Sequence, residues 1–322
     1  MTASTDILVR VVEAEKVADG IKRLKLVAAN GKMLPDFSGG AHTVVVMQDG
    51  DRQRRNPYSL MGIPGDSSSY QISVLRTTDS RGGSTFIHDK VEVGSELYIS
   101  PPVNLFPIDR RARRHLLIAG GIGITPFIAM MAQLAREEVP FELHYAMRST
   151  QHGAYWPALR SLYGHRIHTY SDAEQQVLPL DRLLESQPLG THLYVCGPTG
   201  MIDWVLQAAR SAGWPDENVH FERFSAPPPG NPFTVQLAKS NKAVSVRAHE
   251  SLLEALEGAG LDPPYLCRGG ACGQCETAVL SCSGSLVHND HYLSDGDKAS
   301  GKKIMICVSR IEGAGAAAVL DL

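Results

Sequence analysis

The chain has 322 residues, 31 basic and 34 acidic side chains, a formal net charge of −3 and a hydrophobic content of 43%. That content fills the cores of two or three ordinary domains without a disulfide framework. Nearly balanced charge argues against a broad nucleic-acid-binding or membrane-binding surface. The opening MTASTDILVR has no basic stretch followed by an apolar core, so no secretory leader is expected.

In chain order, the first hundred or so residues hold short β-branched runs at 43–47, 70–75 and 97–100, punctuated by Gly and Pro. This is the pattern of a small antiparallel barrel over residues 1–108. After a charged segment at 109–114 the pattern changes. Strand-like runs at 115–119, 141–145 and 193–196 alternate with helical ones at 127–136 and 200–212. The alternation predicts a parallel sheet with helices on its faces over residues 109–225. Residues 116–135 carry no charge and are long enough to span a bilayer, but their glycine-rich interior reads as strand, turn and helix start. Residues 226–232 form a semi-rigid linker by composition. From 233 to 322 a β-rich unit with one helix, at 251–259, completes a multidomain β and α/β protein.

Cys267, Cys272, Cys275 and Cys307 in that last unit fit C-x4-C-x2-C with a distant fourth. This is the spacing of a plant-type [2Fe–2S] ligand set, a carrier of single electrons with a potential around −400 mV. Gly269, Gly270 and Gly273 let the loop wrap closely and aim N–H groups at sulfur. A structural zinc site also uses four cysteines, but usually in paired short spacings. Here the fourth stands alone in an apolar run, 304–308, read as a strand. Cysteines serving a metal rather than disulfides point to a reducing cytoplasm.

A nucleotide site is expected where the 115–119 strand runs into Gly120-Gly121-Ile-Gly123-Ile-Thr125-Pro126. Pro126 stands where G-x-G-x-x-G has its third glycine, and proline suits the first turn of a helix. Gly121 and Gly123 would let backbone approach a pyrophosphate at that helix N-terminus, although a plain tight turn explains the motif almost as well. A second turn, Cys196-Gly197-Pro198, also follows a strand, at the end where open α/β sheets bind ligands. No base is placed beside Cys196 by sequence, so it lines a nicotinamide pocket or is simply buried. The candidate ribose region offers Arg148 and Asp172 without clustered positive charge, which favours NADH over NADPH. Nicotinamide releases a hydride and the cluster accepts one electron at a time, so a flavin is expected between them.

Tyr58-Ser59-Leu60, Arg81-Gly-Gly-Ser84, Asn104-Leu-Phe106, the Gly120 to Pro126 loop, Cys196-Gly197-Pro198, Phe221-Glu-Arg-Phe224, the cysteines and the terminal Val-Leu-Asp-Leu322 occur in order. Through them essentially the whole chain resembles the phthalate dioxygenase reductase family, FMN- and NADH-dependent reductases that feed Rieske-type oxygenases. The resemblance implies a flavin barrel, an NAD(H) domain and a C-terminal β-grasp ferredoxin. It implies that Tyr58 and Ser59 lie against the flavin, with Ser59 bonding near N5, and that Leu60, Leu75 and Arg76 belong to the same side. Gly82, Gly83 and Ser84 should hold the FMN phosphate at a helix N-terminus. Thr125 should face flavin and nicotinamide, and Phe224 should pack by the isoalloxazine ring. Ser59, Thr125, Cys196 and Phe224 are then the expected catalytic set. Read from the residues alone, Tyr58 and Phe224 serve as core aromatics and Ser84 as a helix cap.

There is one departure. The family's Arg-x-Tyr-Ser becomes Asn56-Pro57-Tyr58-Ser59, and Asn56 can bond phosphate but supplies no charge. Arg54, Arg55 or Arg76 would have to compensate. The function expected is a monomeric electron-transfer enzyme serving a separate terminal oxygenase that acts on an aromatic or other small organic substrate. The chain shows no 2-His-1-carboxylate set and no haem-ligand motif, so oxygen chemistry is assigned to that partner. The same relay serving a cytochrome P450 stays open, as does a non-catalytic iron–sulfur carrier. Three features are set aside: Cys282 as a spare thiol in a turn, His288 and His291 as solvent-exposed, and residues 110–114 as a solvated connection or a dock for an acidic partner.

Overall fold

The computed structural model describes residues 6–50, 52–78, 81–224 and 229–322. Ala226, Pro227 and Pro228 of the expected linker lie outside the described residues. The chain sorts into two compact units, Met1–Met47 with Tyr58–Arg223, and Gln48–Pro57 with Phe224–Leu322.

Alternating side chains build the first sheet. In β2 (Ile21–Ala28), which follows β1 (Ile7–Ala18), Leu24, Leu26 and Ala28 point inward, with Lys25 and Val27 on the other face. With β3 (His42–Asp49), β4 (Arg52–Ser59), β5 (Tyr70–Leu75) and β6 (Glu96–Ile99) they pair in the order β4-β3-β6-β1-β2-β5. The short helix α1 (Gly83–Lys90) follows β5 and inserts Ile87 into the barrel core.

The second sheet is parallel. It comprises β7 (Arg114–Gly120), β8 (Phe141–Met147), β9 (Ile167–Ser171), β10 (Thr191–Cys196) and β11 (Val219–Glu222), in the order β11-β10-β7-β8-β9. The chain leaves the central β7 in one direction through β8 and β9, then returns to the other side of β7 as β10. That reversal makes a switch point between β7 and β10. Helix α2 (Thr125–Arg136) packs on one face against Leu117, Tyr145 and Tyr194. Of α3 (Trp156–Tyr163), α4 (Leu180–Glu185) and α5 (Thr199–Ser211), the last two cover Leu116, Ile118, Leu193 and Val195 on the other face. α2 also closes on the barrel: Gly39 N–H donates to Gln133 Oε1 at 2.8 Å, and Ala129 joins the barrel core. The charge-free stretch 116–135 is divided between β7, a 3-10 turn (Gly121–Ile124) and α2. No described helix is long and apolar enough to cross a membrane.

The third sheet has β12 (Phe233–Leu237), β13 (Lys242–Val246), β14 (Glu276–Val287), β15 (Lys303–Met305) and β16 (Arg310–Leu320), in the order β13-β12-β16-β14-β15. β12 and β16 run parallel within it. The expected helix is α6 (Leu252–Gly258), held by a capping box: Glu254 N–H donates to Ser251 Oγ at 3.1 Å, and Ser251 N–H to Glu254 Oε2 at 2.8 Å. A further helix, α7 (Asp295–Ser300), precedes β15.

Three expectations are corrected. The 304–308 run is a strand only to Met305, because Val308 and Ser309 N–H groups both return to Met305 O and set Cys307 in a turn. Cys282 lies inside β14 between two register shifts, not in a turn. His288 is covered, its side chain 9% exposed and its Nδ1 3.6 Å from the buried Asp290, whereas His291 is exposed.

Candidate functional site

Three of the cysteines sit in the loop between α6 and β14, and Cys307 meets them from the turn after β15. Their sulfurs are close enough to share protons. Hydrogen bonds from Cys272 and then Cys307 hold the Cys267 thiol well below its ordinary range, and the same contact with Cys267 pushes Cys272 and Cys307 up. Gly269 and Ala271 N–H groups each donate to Cys267 Sγ at 3.4 Å. Cys267, Cys275 and Cys307 are buried. Gly273 has φ +78°, and a Cβ there would overlap the Tyr292 ring. Four thiol donors with amide hydrogen bonds fit a sulfide-bridged iron centre.

The two glycine turns meet at the switch point. A Cβ on Gly123 would lie 2.7 Å from Gly197 N, and one on Gly120 2.7 Å from Pro198 Cδ. These glycines therefore serve the packing of one turn on the other, whereas Gly121, at φ +53°, faces open space. Pro126 occupies the first turn of α2, as expected. The Thr125 hydroxyl donates to Ile122 O at 3.0 Å and is 2% exposed. Arg148 and Asp172 are brought together at the ends of β8 and β9, where Ala173 N–H donates to Arg148 O at 2.9 Å. Cys196 is fully buried, and burial, then the nearby Glu222, pushes its thiol well above the ordinary value. It is a neutral wall rather than a nucleophile.

On the barrel side, β5, which ends at Leu75, runs beside the 3-10 turn that follows β7. Arg76 is engaged with Asp89 of α1 at 2.5 and 3.1 Å, so its charge is already paired. Gly82, at φ 110°, opens α1, and Gly83 and Ser84 form its first turn. The Ser84 hydroxyl accepts from Thr77 N–H at 3.3 Å and so ties the preceding loop to α1. Asn56, Tyr58 and Ser59 follow one another along β4, with Leu60 fully buried just beyond and Tyr58 packed on the barrel core. Ser59 is 5% exposed, and its Oγ has no hydrogen-bond partner among the described residues. A buried hydroxyl left without a partner costs on the order of 1–3 kcal/mol, which fits a ligand atom being supplied there. Phe224 is 48% exposed.

One residue escaped the sequence reading. Glu222 ends β11, directly opposite Cys196 in the parallel register. Burial alone pushes its carboxyl up to about 8, and its Oε2 has no partner among the described residues. Its only signal was an acidic residue inside Phe221-Glu-Arg-Phe224, with nothing to say which way it pointed.

Residues 96–219 match the dimethylamine monooxygenase subunit DmmA-like N-terminal domain, and residues 235–312 match the 2Fe-2S iron-sulfur cluster binding domain. A carnitine monooxygenase reductase subunit from Acinetobacter baumannii is 45% identical, covering 94% of each chain. A heme-dependent oxidative N-demethylase beta subunit from Ectopseudomonas mendocina is 44% identical over 99% of this chain and 100% of its own. The solved structure of phthalate dioxygenase reductase, described as a modular structure for electron transfer from pyridine nucleotides to [2Fe–2S], superposes with TM-score 0.88 and 34% identity over 98% of both chains.

Proposed function

The chain belongs to the phthalate dioxygenase reductase-like family, and from that premise we propose that it takes hydride from NADH and delivers electrons singly to a separate terminal oxygenase of Rieske type. Bound FMN supplies the conversion from hydride to single electrons, and a [2Fe–2S] cluster supplies the exit. The chain's own residues bind, orient and exclude water. The turns Gly121–Thr125 and Cys196–Pro198 would hold the nicotinamide nucleotide, with Arg148 and Asp172 toward its ribose. Gly82, Gly83 and Ser84 would receive the FMN phosphate, and the Ser59 hydroxyl would donate to the flavin ring. Arg76 already pairs with Asp89. Cys196 and Glu222, both neutral at pH 7, keep the site dry so that placement rather than acid–base chemistry governs transfer. We assign 1–108 to flavin, 109–225 to NAD(H), 226–232 to the linker and 233–322 to the cluster, in a cytoplasmic monomer.

The four-thiol set carries this reading. Purified protein should show flavin bands over a broad iron–sulfur shoulder, both bleached by NADH, and acid extraction should release FMN rather than FAD. A colourless, iron-free folded protein would refute it. A second reading rests on the 44%-identical relative named as a heme-dependent demethylase subunit: the oxygenase served is a heme protein. Reduction rates with a Rieske and a heme oxygenase, measured side by side, separate the two.

A further inference from the structure

Strand geometry places two residues of β8 and one of β9 in a cluster that the hydride relay does not use. Glu142 and His144 are two apart on β8 and so share a face of the sheet. The β8–β9 register sets His168 directly opposite His144, their rings stacked with centroids 4.6 Å apart at 13°. One donor atom from each of the three lies within 4.8 Å of the others. The chain thus does contain a 2-His-1-carboxylate grouping, contrary to the sequence expectation, because strand register rather than sequence spacing assembles it.

The surroundings resemble a ligand shell already oriented for a cation. The Tyr170 hydroxyl meets His144 Nδ1 at 2.8 Å, which fixes the ring and leaves Nε2. His144 is 5% exposed, and Nε2 has no hydrogen-bond partner among the described residues, standing 4.0 Å from Glu142 Oε1. The carboxylate is held in turn, with Arg114 Nη2 donating to Oε2 at 3.0 Å and Gln187 Nε2 to Oε1 at 2.7 Å. Both rings and the carboxylate line a cavity of about 530 Å³ that Arg114 and Arg182 also border. Anchoring one ring nitrogen while freeing the other is how proteins orient metal-ligating histidines.

We propose that Glu142, His144 and His168 bind a divalent late first-row transition metal, zinc foremost, at the strand ends opposite the nucleotide turns. Two imidazoles and a carboxylate without thiolate suit zinc, copper or nickel better than calcium or magnesium. Three protein donors leave a position open to the cavity, where the two arginines favour water, hydroxide or a small anion. The other His/Asp group of this domain, Asp109 with His192 and His220, is a poorer candidate. Its imidazoles bond each other at 2.9 Å, so those ring nitrogens are already engaged.

The test uses cluster-loaded holoprotein, so that the four cysteines are occupied, titrated with Zn²⁺ by calorimetry and measured at the zinc K-edge. One zinc per chain should bind, with nitrogen and oxygen neighbours at about 2.0–2.1 Å and no sulfur shell near about 2.3 Å. Exposed His168→Ala should weaken binding more than about 100-fold, and Tyr170→Phe, which touches no metal, about tenfold. His192→Gln should leave affinity unchanged. NADH–ferricyanide activity should survive in His168→Ala and so report folding; if that variant does not fold, Tyr170→Phe decides. Absence of binding, sulfur ligation, unchanged affinity in Tyr170→Phe, or loss in His192→Gln would each overturn the proposal.

Discussion

The cysteine loop and the hydride site draw on very different amounts of chain. Three of the four thiols lie between positions 267 and 275, and one turn supplies the fourth. The proposed hydride site would take Ser59 from the end of β4, glycines from the start of α1, two turns at a sheet switch point and Glu222 from the end of β11. Metal–sulfur bonds have fixed lengths, so the donors must be packed into a short loop with glycines at its bends. Hydride transfer asks only for placement and dryness, which ordinary residues supply from anywhere the fold can bring them.

The two regions should therefore fail differently. Cys307→Ser removes one cluster ligand and should drop electron delivery to cytochrome c or to the oxygenase to background. NADH–ferricyanide activity, which leaves from the flavin, should stay within about twofold, because nothing at the hydride site changes. If the two activities fell together, the separation drawn here would be wrong. Gly273→Ala is the next largest. Its φ of +78° and the overlap with Tyr292 should destabilise the loop by about 1–3 kcal/mol, read as faster loss of iron and sulfide to a chelator with flavin retained. Ser59→Ala acts at the other end. It should slow NADH-driven flavin bleaching about tenfold, equivalent to ~1.4 kcal/mol for one hydrogen bond, and leave the iron content untouched.

The same contrast governs what could be read from the chain alone. The cysteines were legible because their spacing is itself the constraint, and the three sheets because hydrophobic period and glycine punctuation mark strands and helices. The role of the glycines was only half legible. Gly123 reads as room for a pyrophosphate, yet the structure uses its missing Cβ to let the Cys196–Gly197 turn pass. Glu222 and the Glu142, His144 and His168 grouping were not legible. Each depends on which residue of a neighbouring strand stands opposite, and one sequence does not carry register between strands that are distant along the chain. The pairing of Arg76, one of the three arginines considered for the missing charge, with Asp89 thirteen residues on is likewise not marked in the sequence.

The remaining effects concern pH and set the two ends of the parallel sheet against each other. Glu222, at the C-terminal end of β11, keeps its proton to about 8 through burial. Between its ordinary value near 4.5 and 8 the folded chain holds a proton that the unfolded chain has released, so stability falls as pH rises through that window and is level above it. His115, at the start of β7, is 1% exposed and lowered to about 4, chiefly by burial, with His192 and His220 adding to the fall and Asp109 opposing it. Between 4 and 6.5 the unfolded chain binds the proton and the folded one does not, so stability rises with pH and is level above 6.5. Each group contributes at most about 1.4 kcal/mol per pH unit inside its window. Glu222→Gln should therefore raise the thermal midpoint at pH 8 and leave it unchanged near pH 4. His115→Gln should flatten the acid limb below pH 6.5 and leave the alkaline side alone. A Glu222→Gln midpoint that rises equally at both pH values would mean that the carboxyl ionises freely in the folded chain, and that the nicotinamide end of the sheet is wet.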